Sequence, residues 1–405
     1  MDAIRSISVV GTGAAWAIYL SLAASVIVAL WLGHKRRRTA LAVAGVLLAV
    51  AYLALTVWPK PFPDAIPWHI YASGTAAVFV VASIFLAPRW RWRLAPLAVV
   101  PLVLAFLTVN LVYEQYPTLG SFRPVPVTVS MNLDQFRETT TAPILNGREV
   151  GALVTLPAAP LRDAIVYVPP AYWHGENLPV LVLLAGSPGS PIRWFDEGAA
   201  QQTLDDYQTE HDGVAPIVVS ADGTGTTTGN PGCVDGPDLQ IQTYLAQEIP
   251  QLIKDNFRVK EDQRTWTIGG LSYGGTCALQ VITNDPSAYG TFLDYSGEAE
   301  PNLGGHQRTV DVLFGGDEAA FQAVNPETLL QRAAGRTTYK GIAGRFVAGE
   351  RDQEAMAALT RQNELAQKAG MSATFRSLPG GHSFEVWRVA LRQDIDFVAQ
   401  RGGIR

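Results

Sequence analysis

Four apolar runs fill the first 113 residues of the chain: about 8–33 (SVVGTGAAWAIYLSLAASVIVALWLG), 40–58, 66–87 and 94–113. Each is long enough to cross ~30 Å of hydrocarbon as a helix rising 1.5 Å per residue. A buried helix of a water-soluble domain carries a polar stripe, and these runs carry none. Four membrane-spanning helices are therefore expected. A cleaved signal peptide fits poorly, because the first run is too long and three more follow it.

Charge separates this part from the rest. Residues 1–113 hold nine of the 31 Lys and Arg but only Asp2 and Asp64 of the 36 Asp and Glu, so residues 114–405 are acidic. No basic stripe capable of displacing phosphate counterions is present, which sets nucleic acid aside. The short loops carry an orientation signal. Loop 34–39 (HKRRRT) and loop 88–93 (PRWRWR) are basic, whereas loop 59–65 (PKPFPDA) and the amino terminus are close to neutral. By the positive-inside rule the basic loops are cytoplasmic, which puts the amino terminus and everything past residue 114 outside. Few polar side chains interrupt the spans. His69 and Asn110 lie near their ends, and no charge marks a transport path, so an anchor or lipid-contacting platform is expected rather than a channel.

Beyond the spans the pattern shortens and is punctuated by Gly and Pro. Residues 124–131, 148–156 and 163–169 alternate as half-buried strands do. PVLVLLAG (179–186) is continuously apolar and suits a central strand covered on both faces. A helix near 191–210, strand 216–222, a helix over 237–256 and the strand TWTIGGL follow, then strands near 291–296, 344–350 and 372–379. Strands alternating with helices of this length imply a mostly parallel sheet covered on both faces. The expected organisation is a four-helix membrane segment at 1–113, a linker at 114–144 and an α/β-hydrolase domain at 145–405.

The chemistry concentrates in TWTIGGLSYGGTCALQ (265–280), where Gly270-Leu271-Ser272-Tyr273-Gly274 reads G-x-S-x-G between an apolar strand and a helix. That context is a nucleophile elbow, a sharp turn that lifts a serine Oγ above the sheet. A serine hydroxyl needs a base to become a useful nucleophile. In this fold the acid and then the histidine follow the serine in chain order. Of His174, His211, His306 and His382, only His382, in PGGHSFEVW, lies after the last expected strand, where glycines let a loop fold back. FVAGERDQE supplies the acid: Asp352, with Glu350 as the alternative. Its role would be to accept the imidazole N–H and stabilise the imidazolium. Oxyanion donors are expected from the backbone N–H of Tyr273, after the nucleophile, and of Ser187, in the SPGSP loop, where Pro188 and Pro191 have no N–H to offer. Cys233 and Cys277 both fall in the external part, where a disulfide between them is expected, the alternative being two separate buried thiols.

The segments LLAGSPGSPIRWFD, IGGLSYGGTCALQ, LDYSGE, VAGERDQ and PGGHSFEVW together resemble the putative-esterase family of α/β-hydrolases, which includes esterase D, feruloyl esterases and mycolyltransferases. The resemblance covers roughly 145–400. It implies Ser272 as nucleophile, His382 as general base, Asp352 as acid, and Ser187 and Tyr273 as oxyanion donors. The chain departs from the family in having Ala185-Gly186 where His-Gly or Asp-Gly is frequent. A multi-span segment ahead of an external hydrolase also resembles actinobacterial hydrolases of aminoacylated phosphatidylglycerol.

The resulting expectation is a serine esterase at the outer face of the cytoplasmic membrane, acting on acyl or aminoacyl esters of lipids or envelope glycolipids. An acyltransferase using the same triad is the close alternative, and a non-catalytic scaffold a more distant one. This chemistry calls for no cofactor and no metal.

Overall fold

A computed structural model describes residues 2–32, 36–58, 60, 65–87 and 91–404. Much of the three loops that carry the orientation signal (34–35, 59, 61–64, 88–90) lies outside the described residues. The chain divides into two compact units, Met1–Pro124 and Val125–Arg405.

The first unit contains helices α1 (Gly11–Leu32), α2 (Arg37–Thr56), α3 (Trp68–Leu86) and α4 (Val99–Tyr113, preceded by a 3₁₀ turn at Ala95–Ala98). All four spans are long and apolar enough to cross a membrane. Their contacts centre on α3, whose Phe79, Val80 and Ile84 are buried against Ala29, Ala40, Ala44 and Ala98. The outward faces are apolar too: Trp16, Leu20, Ile27, Val46, Leu53 and Leu102 are exposed. Surfaces of this kind suit hydrocarbon, where only the backbone must be satisfied internally, as a helix does. Asn110 is buried at the end of α4. Its amide donates to the Tyr116 carbonyl at 2.9 Å and its Oδ1 accepts the Tyr116 N–H at 2.8 Å, closing the turn that leaves the helix.

In the second unit nine strands form one sheet: β1 (Val129–Asn132), β2 (Ala152–Leu156), β3 (Ala164–Val168), β4 (Val180–Leu184), β5 (Ile217–Ala221), β6 (Thr267–Leu271), β7 (Thr291–Tyr295), β8 (Ala343–Gly349) and β9 (Ser372–Leu378). Their order is β1-β2-β3-β5-β4-β6-β7-β8-β9. Only β3 runs against its neighbours, and every other pairing is parallel. This is the α/β-hydrolase architecture. Strand β4 (VLVLL) is buried along its whole length, as a strand covered on both faces must be. Each of its Val and Leu side chains stabilises the fold by about 1.5–3 kcal/mol relative to exposure.

Helices cover both faces. On one, α6 (Ile249–Asn256), α7 (Tyr273–Asn284) and α8 (Gln353–Lys368) bury Ile249, Ile253, Ala278, Val281, Ile282 and Leu359. On the other, α5 (Ala200–Glu210) and α9 (Phe384–Arg401) bury Leu204, Trp387, Leu391 and Ile395. Because the strands that carry the loops of interest are parallel, the loops after β4, β5, β6, β8 and β9 all leave the same edge of the sheet.

Three expectations differ from what is observed. The stretch expected as linker contains β1 and a short helix, Leu133–Glu138, both in the second unit. The helix expected over 237–256 starts at Ile241 and passes through a π turn at Tyr244–Glu248 before α6. Pro250 accounts for the π turn, since it lacks the N–H that a regular α-helix would direct at the carbonyl four residues back, that of Ala246. The helix expected near 191–210 begins only at Ala200, after a 3₁₀ turn at Pro191–Trp194.

Candidate active site

Ser272 sits at the bend between β6 and α7 with φ 53° and ψ −125°, a conformation that L-residues rarely adopt. The flanking glycines make the bend possible. A Cβ on Gly270 would run into the backbone of Gly274, and a Cβ on Gly274 would run into the carbonyl of Leu184 on the neighbouring strand. The turn is held from outside by the Ser272 N–H, which donates to the Tyr295 carbonyl at 2.7 Å. Backbone strain of this kind costs of order 1–3 kcal/mol and persists only where surrounding contacts impose it.

His382 comes from the turn after β9 and Asp352 from the turn after β8. The imidazole Nε2 lies 2.9 Å from Ser272 Oγ, and Nδ1 lies 2.7 Å from Asp352 Oδ2. A carboxylate only accepts, so Nδ1 carries the proton and Nε2 is left to accept the serine O–H. Asp352 is itself fixed: its Oδ1 accepts the Ala355 N–H at 3.3 Å, capping α8, and its own N–H donates to the Gly349 carbonyl at 2.9 Å. The edge of Trp387 meets the His382 ring with centroids 5.1 Å apart and planes at 88°, which limits the ring's tilt. The three side chains form a line along which a proton can leave Ser272 Oγ while Asp352 stabilises the resulting imidazolium.

Glu350, the alternative acid, is exposed on the same turn as Asp352. The other external histidines are engaged elsewhere. His174 pairs with Glu149 at 2.8 Å, and His211 stacks on Tyr207 with centroids 4.0 Å apart. His306 lies between Glu300 and Glu318, at 2.8 and 3.0 Å; the hydrogen bond to Glu300 is the main cause of its raised pKa.

The loop after β4 passes against the elbow: a Cβ on Gly186 would lie 3.2 Å from Ser272 Cβ. Ser187, next in that loop, donates its hydroxyl to the Gly229 carbonyl at 3.0 Å. Tyr273 opens α7, where the first N–H groups have no intrahelical acceptor. Its ring is turned into the protein and anchors the loop after β5. That loop is also bonded covalently, because Cys233 and Cys277 form a disulfide with Cα atoms 5.4 Å apart.

Three further groups at the site escaped sequence reasoning. Arg162 and Asp222 form an ion pair at 2.7 Å beneath the loop after β4. Asp294, on β7, is wholly buried beside the first turn of α7, where a Cβ on Gly275 would strike its Oδ1. Its Oδ1 accepts the Gly297 N–H at 2.9 Å and its Oδ2 has no hydrogen-bond partner among the described residues, and burial pushes its pKa up to about 8. Acids seated in strands carry no local signature, and the expectation for them is exposure.

A family profile described as "Putative esterase" matches residues 161–398. An uncharacterized protein of Corynebacterium glutamicum is 50% identical over 426 residues, covering 100% of each chain. Among solved structures, a ferulic acid esterase aligns with a TM-score of 0.50 and 21% identity, over 59% of this chain and 92% of that one. The S-formylglutathione hydrolase of Agrobacterium tumefaciens aligns with a TM-score of 0.51 and 18% identity, over 62% and 95%. At such identities the structural likeness speaks to the fold alone.

Proposed function

This chain belongs to the putative-esterase family, and on that premise we propose that it is a membrane-anchored serine ester hydrolase whose nucleophile is Ser272. The observation that carries the reading is the hydrogen-bonded line from Ser272 Oγ through His382 to Asp352 at a strand-to-helix elbow. Ser272 Oγ attacks the ester carbonyl as His382 Nε2 takes its proton. The N–H groups of Tyr273 and Ser187, with the amino end of α7, receive the oxyanion. Collapse expels the alcohol, protonated by His382. Water, deprotonated by the same nitrogen, then releases the acid from the acyl-enzyme.

The four apolar helices support an anchor in the cytoplasmic membrane, and the basic loops 34–39 and 88–93 support a catalytic domain on its outer side. Tethering raises the effective concentration of any substrate that lives in the bilayer. The substrates would be acyl or aminoacyl esters of lipids, such as aminoacyl-phosphatidylglycerol, or envelope glycolipids. One feature favours the aminoacyl branch. A cleft of about 480 Å³ is lined by Glu298, Glu300 and Glu354 and also by His306, paired with Glu300, and Arg361, paired with Glu327, so the cations on its wall are already engaged by Glu300 and Glu327. It adjoins the site, since Glu354 lies two residues from Asp352 and the Glu298 N–H donates to Thr276 Oγ1, on the first turn of α7, at 2.8 Å. Carboxylates there would attract a protonated α-amino group.

The test compares lipids of a deletion strain with those of a strain carrying Ser272→Ala. One ester-bearing lipid should accumulate in both. Full activity of purified Ser272→Ala protein on a p-nitrophenyl ester would overturn the assignment. Supplying a radiolabelled acyl donor with trehalose should give free acid, whereas a new glycolipid would mean transfer.

A further inference from the structure

The loop after β4 bends back on itself: a Cβ on Gly189 would strike the carbonyl of Gly186. The direction of the Ser187 N–H is therefore set by whatever holds this turn. Arg193 Nη1 donates to the Pro188 carbonyl at 2.8 Å, and three further bonds tie the turn to Arg162 and the 223–229 loop. The Gly189 N–H donates to the Thr227 carbonyl at 2.8 Å, Ser187 Oγ donates to the Gly229 carbonyl at 3.0 Å, and Arg162 Nη1 donates to the Gly189 carbonyl at 2.9 Å.

Arg162 is the member that links the turn to the sheet. Its Nε and Nη2 donate to Asp222 Oδ2 and Oδ1 at 2.9 and 2.7 Å, its Nη2 also reaches Thr224 Oγ1 at 2.6 Å, and its backbone N–H donates to Asp222 Oδ2 at 3.1 Å. Asp222, fully buried just past β5, accepts in addition from the N–H groups of Thr224 and Gly225 at 3.0 and 3.1 Å. The same carboxylate thus shapes the start of the 223–229 loop, which carries the acceptors for Ser187 and Gly189. Only a planar guanidinium can bond a carboxylate through two nitrogens and a carbonyl through the third.

We infer that Arg162 is a positioning residue for the oxyanion hole: together with Asp222 it fixes the 186–189 turn and so aims the Ser187 N–H at the developing oxyanion. The inference rests on the serine-hydrolase reading above. It extends that reading to residues that touch neither substrate nor triad.

Arg162→Lys keeps a positive charge opposite Asp222 but cannot make both sets of bonds. In the full-length protein in nanodiscs, p-nitrophenyl acetate turnover should lose about 10- to 100-fold in kcat, somewhat less than removing an oxyanion donor outright, with KM within about twofold. Affinity for phenylboronic acid, which becomes tetrahedral on a serine, should fall by a similar factor. In Arg162→Ala, millimolar methylguanidinium should restore part of kcat, because the arginine side chain is 28% exposed and its site open to a small cation. Unchanged kcat and boronate affinity in Arg162→Lys would overturn the inference. A loss of kcat with boronate affinity intact, or unfolding of both variants, would do the same. Activity surviving in Ser272→Ala would instead remove the premise, whatever Arg162 does.

Discussion

Tyr273 and Cys233 are joined in two ways. The Tyr273 hydroxyl accepts the Cys233 N–H at 3.1 Å while donating to the Gly223 carbonyl at 2.7 Å, and the Cys233 sulfur is bonded to Cys277, one helical turn beyond Tyr273. The residue beside the nucleophile therefore uses its backbone and its side chain for different purposes. On the proposed mechanism its N–H serves the oxyanion, and its phenol holds down both ends of the 223–233 loop.

Removing that hydroxyl leaves a buried carbonyl and a buried N–H without their partner. Tyr273→Phe should lower stability by about 1–3 kcal/mol, read as a drop in the thermal unfolding midpoint of the full-length protein. The backbone donor is untouched, so kcat should fall far less than in Ser272→Ala.

The disulfide closes a loop with a sequence separation of 44 residues. By chain entropy a ring of this size stabilises the fold by about 4 kcal/mol. Cys233→Ser/Cys277→Ser should unfold at correspondingly lower denaturant, measured by urea titration. Equal midpoints for the variant and the oxidised wild type would show that the bridge contributes nothing.

The two acids of the β8 turn should separate cleanly. Asp352→Asn leaves the imidazole without an ionised partner and should cost about 10⁴ in kcat, the size expected when the orienting carboxylate of such a line is lost. Glu350 is exposed on that turn, and Glu350→Gln should stay within about twofold on a p-nitrophenyl ester, within the range expected of a surface substitution.

Asp294 predicts a pH dependence of stability. Burial raises its carboxyl to about 8 in the folded chain, from 3.8 when exposed. Between those values the folded state holds a proton that the unfolded state has lost, so stability falls as pH rises from about 4 to about 8 and is level beyond. Asp294→Asn removes this titration. The midpoint difference between pH 5 and pH 8.5 should be smaller in the variant, by thermal denaturation, and an identical difference would contradict the assignment.

If the acidic cleft selects a protonated amine, Glu298→Gln/Glu354→Gln should lower the ratio of kcat/KM for an alanyl ester over the matching acetyl ester. About fivefold is expected, the equivalent of ~1 kcal/mol for a solvent-accessible charge pair. An unchanged ratio would remove the support for aminoacyl substrates.

Much of this was legible in the sequence for physical reasons that differ by element. The central strands announce themselves because two-sided burial demands uninterrupted apolar runs such as PVLVLLAG. Ser272, His382 and Asp352 stand out because a sharp turn needs glycine and because the fold dictates their order. Arg162 was illegible, since the partners that define it lie 27 and 60 residues away and only the sheet order brings them together. Strand β1 overlaps the strand read from the alternation at 124–131, but it is only four residues long and half-exposed at the sheet edge, so the pattern does not tie it to the sheet and leaves it in the expected linker.

The ring closed by Cys233 and Cys277 encloses α6, β6 and the elbow itself. One accessible stretch of it is the turn around Glu261, Asp262 and Arg264. A protease that cuts there leaves the fragment carrying Ser272 and Cys277 joined to the amino-terminal fragment, which carries Cys233, through sulfur. The nicked protein would migrate as one band until reduced, and Ser272 would stay in register after the chain is broken.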